Sequence, residues 1–221
     1  MITILKETPE KPITLMGERA GVCWGGDIRK EEKNYRRGLD CIKSGHHRVL
    51  EYVNVEMILD GYSARVIREW YIGGAPTRLQ ASTRYVDYSG FSYIMPPSVA
   101  GNPEAEKLYR DTMAAISAGC SRLEEEYGIP REDAAMLLPL GMTTRIVDKR
   151  NVRNLIEMSH QRLCSRAYWE YRQLMEDICV ALSAYSEEWK YLVDHYFVPK
   201  CQVQGYCTEK KSCGKMPYRE V

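Results

Sequence analysis

The stretch from Ser63 to Tyr85 holds the densest set of side chains that could do chemistry. It breaks at Gly73-Gly74, with Pro76 close behind, and ends in a polar cluster of Thr77, Arg78, Gln80, Ser82, Thr83, Arg84 and Tyr85. Guanidinium groups suit phosphate, and hydroxyl and backbone N–H groups can complete an anion cradle beside glycine. The pattern indicates a phosphate-bearing ligand such as a nucleotide. An ordinary surface turn after a helix is the alternative.

The C-terminal residues form a second candidate site. Cys201, Cys207 and Cys213 have five residues between each neighbouring pair, and His195 precedes them. Three thiolates and an imidazole could bind zinc. However, neither spacing is the tight one that typifies zinc knuckles, and a reduced, loosely ordered tail explains the same residues. We predict no metal site from the sequence, with zinc as the alternative.

Strands and helices must position these residues. Alternating apolar side chains over residues 48–60 predict a half-buried strand that ends at Gly61, followed by a helix from Ser63. Residues 85–95, rich in Tyr and Val, predict a second extended segment. Helical periodicity and end signals predict helices over residues 13–26, 31–44, 103–128 and 151–197, a short helix from Pro130, and Asn151 as an N-cap.

The composition argues against several classes of protein. The 31 basic and 30 acidic residues give a formal net charge of +1, which favours neither nucleic-acid nor membrane binding. No secretion signal or membrane-length apolar run is visible. Eight cysteines without such a signal predict reduced thiols in a cytoplasmic protein. No boundary is visible before the last cysteines, which predicts one domain over residues 1–197 and a tail over 198–221.

A longer pattern connects the polar cluster with residues on both sides of it. In chain order it consists of Gly45-His46, Glu51, Arg68-Glu69-Trp70, Ser82-Thr83-Arg84-Tyr85, Leu138-Pro139-Leu140, Thr144-Arg145, Asn151-Val152-Arg153, Arg162 and Trp169. These residues cover roughly residues 40–175, and several anchors in the right order are more specific than any one of them. The pattern resembles the signature of the flavin-dependent thymidylate synthases.

The resemblance implies a fold and an activity. The fold would be α+β, with an antiparallel or mixed sheet flanked by helices and a helical C-terminal half. The protein would be a homotetramer with active sites shared between subunits. It would methylate C5 of dUMP with FAD, NADPH and methylenetetrahydrofolate, without a cysteine nucleophile. Its partners would be dUMP and folate small molecules, with no nucleic acid and no membrane.

The same resemblance implies roles for the matching residues. Arg162 would stabilise the uracil ring ionised at N3, a role that suits a permanently charged guanidinium. The dUMP-binding residues would be Glu69, Gln80, Ala81, Ser82, Thr83, Arg84 and Arg162. The FAD-binding residues would be His46, Arg48, Arg78, Asn151, Arg153 and Glu157. Arg153 and Arg162 would point in opposite directions on an unbroken helix, which agrees with sites shared between subunits.

The chain departs from the family where charge is expected. Ile72-Gly73-Gly74 stands where the family has Arg-His-Arg, and Gln80, Ala135 and Glu157 stand where it has Glu, a phosphate-binding Arg and Asn. Arg78 could replace one arginine of the triplet. These departures leave two other functions open. One is a flavoenzyme that methylates another uracil nucleotide, and the other is a non-catalytic protein that binds a nucleotide or a metal.

Overall fold

The computed structural model describes residues 1–73 and 77–220. Within them, one sheet has the strand order β1-β2-β4-β3, formed by β1 (Ile2–Ile4), β2 (Asn54–Ser63), β3 (Thr77–Gln80) and β4 (Thr143–Asn151). The helices are α1 (Pro12–Gly21), α2 (Glu31–Lys43), α3 (Ala64–Trp70), α4 (Pro103–Glu125), α5 (Arg131–Ala134), α6 (Val152–Arg162), α7 (Trp169–Tyr185), α8 (Glu187–Tyr196) and α9 (Lys200–Gln204). This small antiparallel sheet with many helices confirms the predicted α+β class.

Side-chain caps fix where several of these helices begin. Ser63 accepts a hydrogen bond from the third residue of α3, and Asn102, Asn151 and Ser186 do the same for α4, α6 and α8. Each cap satisfies a backbone N–H group that has no partner inside its helix. The predicted cap at Asn151 is confirmed. Over the described ranges, each helix is too short or too polar to cross a membrane.

One compact unit comprises Met1 and residues 59–72 and 78–147. Its core includes a cluster around Phe91, Met113 and Met142, to which tyrosines and aliphatic side chains add partly buried surface. Ala64 N and Arg65 N donate to the carbonyl oxygens of Met142 and Leu140 at 2.8 and 2.9 Å. The start of α3 is thereby tied to the entry into β4.

The other compact unit comprises the described residues of 2–58, 73–77 and 148–221. Helices α1 and α2 pack together, as do α7 and α8. The Glu188 carboxylate accepts hydrogen bonds from Ile13 N at 2.7 Å and Thr14 N at 3.0 Å. A residue of α8 therefore satisfies the first N–H groups of α1, which begins with Pro12 and has no side-chain cap of its own.

The predicted strand over residues 48–60 is wrong at both ends. Residues His47–Tyr52 form a 3-10 helix, and β2 begins only at Asn54. The neighbours Val49 and Leu50 are both buried, a pattern that a turn of helix allows and a strand with one buried face does not. Gly61, the predicted stop, lies inside β2 with a φ of +79°, and the strand continues to Ser63.

The extended segment predicted over residues 85–95 is also wrong. These residues form no named strand: turns occur at Tyr85 and at residues 89–90, and one bridge joins Tyr93 to Met142. The strand of this region is β3, which precedes the polar cluster. Only one of its four side chains is partly buried, so β3 has no alternating pattern that the sequence could reveal.

Candidate functional site

The polar cluster of the first unit forms a turn that backbone hydrogen bonds stabilise. Ala81 N donates to Arg145 O on β4 at 2.9 Å, and the Ser82 carbonyl accepts from Val86 N at 2.9 Å. The Ser82 hydroxyl accepts from Arg84 N at 3.2 Å, so this side chain shapes the turn. Backbone and hydroxyl groups of residues 81–84 are thus fixed close together, as an anion cradle requires.

Two predicted ligand residues are linked through Tyr71 at the end of α3. The Tyr71 hydroxyl donates to Gln80 Oε1 at 2.5 Å, and Gln80 Nε2 donates to the Thr144 hydroxyl at 3.4 Å. The Arg78 guanidinium lies 3.8 Å from the centre of the Tyr71 ring and donates to its carbonyl at 3.2 Å. Glu69, two residues earlier, is half-buried. Arg78 and Gln80 are therefore held by the same aromatic residue.

Two arginines of this unit could supply positive charge to a phosphate. Arg84 pairs with Glu132 at 2.7 Å, and both side chains are more than half exposed. Arg131 pairs with Glu124 at 3.0 Å and lines a small cavity together with Ala135. Arg131 lies one helical turn before Ala135, the position at which the resemblance led us to expect a phosphate-binding arginine. No role was predicted for Arg131 from the sequence, although the i, i+4 spacing places the two positions on one side of a helix.

Three predicted FAD residues surround one polar cavity of the second unit. The cavity has a volume of about 380 Å³ and is lined by Glu51, Asn54, Thr77, Lys149, Arg150, Asn151, Arg153, Asn154 and Glu157. Arg153 donates to Glu157 at 3.0 Å and to Glu51 at 2.6 Å, and these hydrogen bonds raise its pKa. The Asn151 side-chain oxygen caps α6, so its NH₂ group is the part that suits a ligand.

A more apolar cavity of about 450 Å³ shares Arg153 and Glu157 with the polar one. Its other lining residues are His47, Leu50, Ile156, His160, His195, Tyr196, Val198, Gln202 and Val203. Burial lowers the pKa of His160, which favours the neutral imidazole. His46 and Arg48, two predicted FAD residues, are exposed and line neither cavity. Their neighbour His47 lines the apolar cavity.

Arg150, a residue with no role predicted from the sequence, is buried beside Gly73. It makes a bidentate pair with Asp148 at 2.6 and 2.9 Å. It also donates to Gly73 O at 3.1 Å and to the Met158 sulfur at 2.6 Å. A Cβ atom at Gly73 would lie 2.8 Å from the Met158 side chain, closer than real Cβ contacts. A side chain at position 73 therefore requires the flexible end of Met158 to move; Gly74 lies outside the described residues.

Arg162, the predicted catalytic residue, ends α6. Its guanidinium lies 4.2 Å from the ring centre of the buried Tyr171. Arg153 near the start of α6 pairs with two glutamates instead, so the two arginines have different surroundings on one unbroken helix. Arg162 also lines a cavity of about 460 Å³ with residues of the C-terminal segment. In residues 1–73 and 77–220, no three His, Cys, Asp or Glu side chains are gathered closely enough to hold a metal ion.

The chain is similar to known proteins over most of its length. Residues 3–185 match the family model described as Thy1, thymidylate synthase complementing protein. The chain is 28% identical over 241 residues to the flavin-dependent thymidylate synthase of Nitratidesulfovibrio vulgaris, covering 99% of this chain and 96% of that protein. It is 30% identical over 182 residues to that of Geobacter sulfurreducens, covering 78% of each.

The fold is also that of a solved structure. The flavin-dependent thymidylate synthase from Helicobacter pylori, crystallised with FAD and dUMP, superposes with a TM-score of 0.66 at 16% identity, covering 89% of this chain and 96% of that chain. The family-model match and the two sequence relatives extend well beyond half of the chain. The chain therefore belongs to the thymidylate synthase complementing protein family, the family of the flavin-dependent thymidylate synthases.

Proposed function

We propose that this protein catalyses the flavin-dependent reductive methylation of dUMP to dTMP. The one-carbon unit comes from methylenetetrahydrofolate and the reducing equivalents from NADPH, with FAD as the resident cofactor. The observation that carries the proposal is the polar cavity around Asn151, Arg153 and Glu157, three residues chosen from the sequence as FAD ligands. The catalytic part is the domain of residues 1–197, with 198–221 as a tail.

The two cavities that share Arg153 and Glu157 fit the two kinds of surface on FAD. The polar cavity offers Lys149, Arg153 and the Asn151 amide, which suit a diphosphate. The adjoining cavity offers aliphatic and aromatic walls, which suit a planar ring. A bound diphosphate would replace the glutamates on Arg153. FAD supplies the redox chemistry when bound, and the residues of the chain orient it and exclude water.

The turn over residues 80–84 would bind the nucleotide. The backbone N–H and hydroxyl groups of Ser82 and Thr83 suit phosphate oxygens, and Arg84 adds an exposed cation. Arg131 would supply the positive charge that Ala135 lacks. Gln80 can hydrogen-bond a uracil edge, and Glu69 lies nearby in the chain at the end of α3. Because Ser82 Oγ accepts from the backbone of the turn, we assign it to nucleotide positioning and not to nucleophilic attack.

Arg162 would stabilise the negative charge that develops on uracil when N3 is ionised. Its charge persists at all working pH values, and the Tyr171 ring beneath it holds the guanidinium plane without neutralising it. Arg162→Met should lower kcat about 100-fold, the usual effect of losing one preorganised group that stabilises an anion. Arg122→Met, which breaks an exposed pair on α4, is the control and should leave kcat unchanged.

We infer a homotetramer whose sites are shared between subunits. The different surroundings of Arg153 and Arg162 on one helix support two separate sites for these residues. Light scattering on the purified protein measures the mass directly. A monomer that is active in dTMP formation would contradict this inference.

A second candidate function is methylation of another uracil nucleotide. The loss of the triplet and of the arginine at Ala135 favours it, because Arg131 would approach the phosphate from a different position. A non-catalytic nucleotide- or metal-binding protein is the third candidate. Comparing turnover of dUMP with that of UMP separates the first two, and absence of any turnover with all cofactors supplied supports the third.

The first experiment is the absorption spectrum of the protein with added FAD, followed by a titration with dUMP. A bound-flavin spectrum that shifts with dUMP, together with dTMP formation, supports the synthase. Arg153→Met should weaken FAD binding about tenfold or more, because a charged contact to phosphate is lost. Arg122→Met should bind FAD normally. Protein that binds no FAD, or that forms no dTMP with methylenetetrahydrofolate and NADPH present, contradicts the proposal.

A further inference from the structure

Half of the cysteines in the chain surround a single cavity. Cys164 lies between α6 and α7, and Cys201 lies on α9. These two thiols, together with Cys207 and Cys213, line the cavity of about 460 Å³ that also contains Arg162. All four are free thiols. Three of them come from the C-terminal segment, residues 198–221, and Cys164 comes from the part of the chain before it. The cavity is therefore lined both by this segment and by α6.

The C-terminal segment is ordered with little apolar burial to hold it. Over residues 198–220, only Pro199 and Cys207 are buried. Cys207 N donates to Pro217 O at 2.7 Å, and Arg219 N donates to Cys207 O at 2.8 Å, which closes a loop that contains Cys213. A segment of this size cannot offset its conformational entropy with two buried residues. Small folded segments of this kind usually depend on a disulfide or a metal.

We propose that these four thiols hold a metal centre as thiolates. On binding, four S–H bonds break, four protons pass to solvent and four sulfur–metal bonds form, with no change in the oxidation state of sulfur.

The spacing of the thiols narrows the choice of metal centre. Four-thiolate sites hold either Zn²⁺ or an iron–sulfur cluster. A single zinc ion needs every sulfur at about 2.3 Å from one point. No three ligand side chains of the described residues are gathered in that way. A four-iron cluster needs no such single point, because iron and sulfide lie between its cysteines, and we therefore assign the four thiols to a four-iron cluster.

His195 is not part of this site. Its ring stacks on Tyr191 with the centroids 4.1 Å apart, and Nδ1 lies 2.8 Å from the Tyr191 carbonyl oxygen. The cavity that it lines contains no cysteine. The structure thus replaces the imidazole considered from the sequence with the thiol of Cys164, which lies 37 positions before Cys201 and has no sequence spacing that would reveal it.

The test is the metal and acid-labile sulfide content of the full-length protein purified without oxygen. We expect about four iron and four sulfide per chain, with an EPR signal after dithionite reduction. About one zinc per chain without sulfide would contradict the cluster. Metal-free protein that takes up no reconstituted cluster at one centre per chain also overturns the proposal. So does a disulfide between any two of the four cysteines under these conditions.

Single variants locate the site. Cys201→Ser and Cys213→Ser should each lose most of the bound metal, whereas Cys23→Ser, at an exposed thiol outside the cavity, should retain all of it. Cys213 is itself exposed, so its replacement should not disturb folding. Equal metal content in all three variants and the unmodified protein would overturn the assignment. These readouts do not depend on flavin or dUMP, so they are independent of the proposed enzyme activity.

Discussion

Replacing Arg150 with methionine should destabilise the folded protein by about 3–5 kcal/mol, because it removes one partner from a buried ion pair. The side chains of Arg150 and Asp148 are 1% and 0% exposed. Two guanidinium nitrogens lie 2.6 and 2.9 Å from the two carboxylate oxygens, and the third donates to Gly73 O and Asn154 Oδ1 at 3.1 Å each. Methionine fills similar space but replaces none of these donors.

The size of this loss comes mainly from the carboxylate that remains. Water cannot reach Asp148 to compensate for the missing guanidinium, so a buried carboxylate is left without its bidentate partner. Removing both charges should therefore cost less than removing one. We expect Arg150→Met combined with Asp148→Leu to be more stable than Arg150→Met alone, with a coupling energy of about 1–3 kcal/mol.

Urea unfolding followed by tryptophan fluorescence measures these differences, at one fixed protein concentration because association would shift the midpoint. The matched control is Lys190→Met on α8, which breaks a pair with Asp194 at 2.6 Å whose side chains are 52% and 48% exposed. Solvent screens that pair, so we expect no measurable change in the free energy of unfolding. If Arg150→Met unfolds at the same urea concentration as the control, the buried pair does not stabilise the fold and the reasoning is refuted.

Three further outcomes concern the second unit. Asn151→Ala removes the cap of α6 and should lower the free energy of unfolding by about 1 kcal/mol; no change in urea unfolding would show that the cap is dispensable. Burial lowers the pKa of His160 below 6.5, so the unfolded state binds more protons and stability falls as pH drops through roughly 6.5. His160→Gln should flatten this slope between about pH 7.5 and 5.5, and an unaltered slope would exclude His160 as its source. Burial raises the pKa of Cys179 to about 12, so iodoacetamide should label the exposed Cys23 and spare Cys179 in folded protein, as mass spectrometry of the peptides can check.

Local signals in the sequence were sufficient for most helices. The break between α7 and α8 at Ser186, inside the region predicted to be helical over residues 151–197, was missed. The predicted cap at Asn151, in contrast, involves residues within one turn of each other. Such signals do not depend on the rest of the fold. Strand ends were predicted less well, because pairing partners distant in sequence determine them. Thr77–Gln80 forms β3 although its side chains are mostly exposed and show no alternation.

The candidate site also contains residues that the sequence predicted and residues that it did not. The resemblance identified Arg153 and Glu157, and both residues line the polar cavity. Arg150 was missed because a charged residue on a strand is normally expected at the surface, and only the burial of Asp148 two positions earlier explains it. Cys164 was likewise missed, because it lines the same cavity as the C-terminal thiols only through tertiary structure and not through a recognisable spacing in the sequence.

The packing of Gly73 has a consequence for which side chains position 73 can accept. A side chain at position 73 would require the end of Met158 to move, and the Met158 sulfur is itself in contact with buried Arg150. Substitutions at positions 73, 150 and 158 should therefore be energetically coupled, so that the effect of one depends on the residues present at the other two. Variants that introduce a side chain at position 73 should be combined with a smaller residue at position 158.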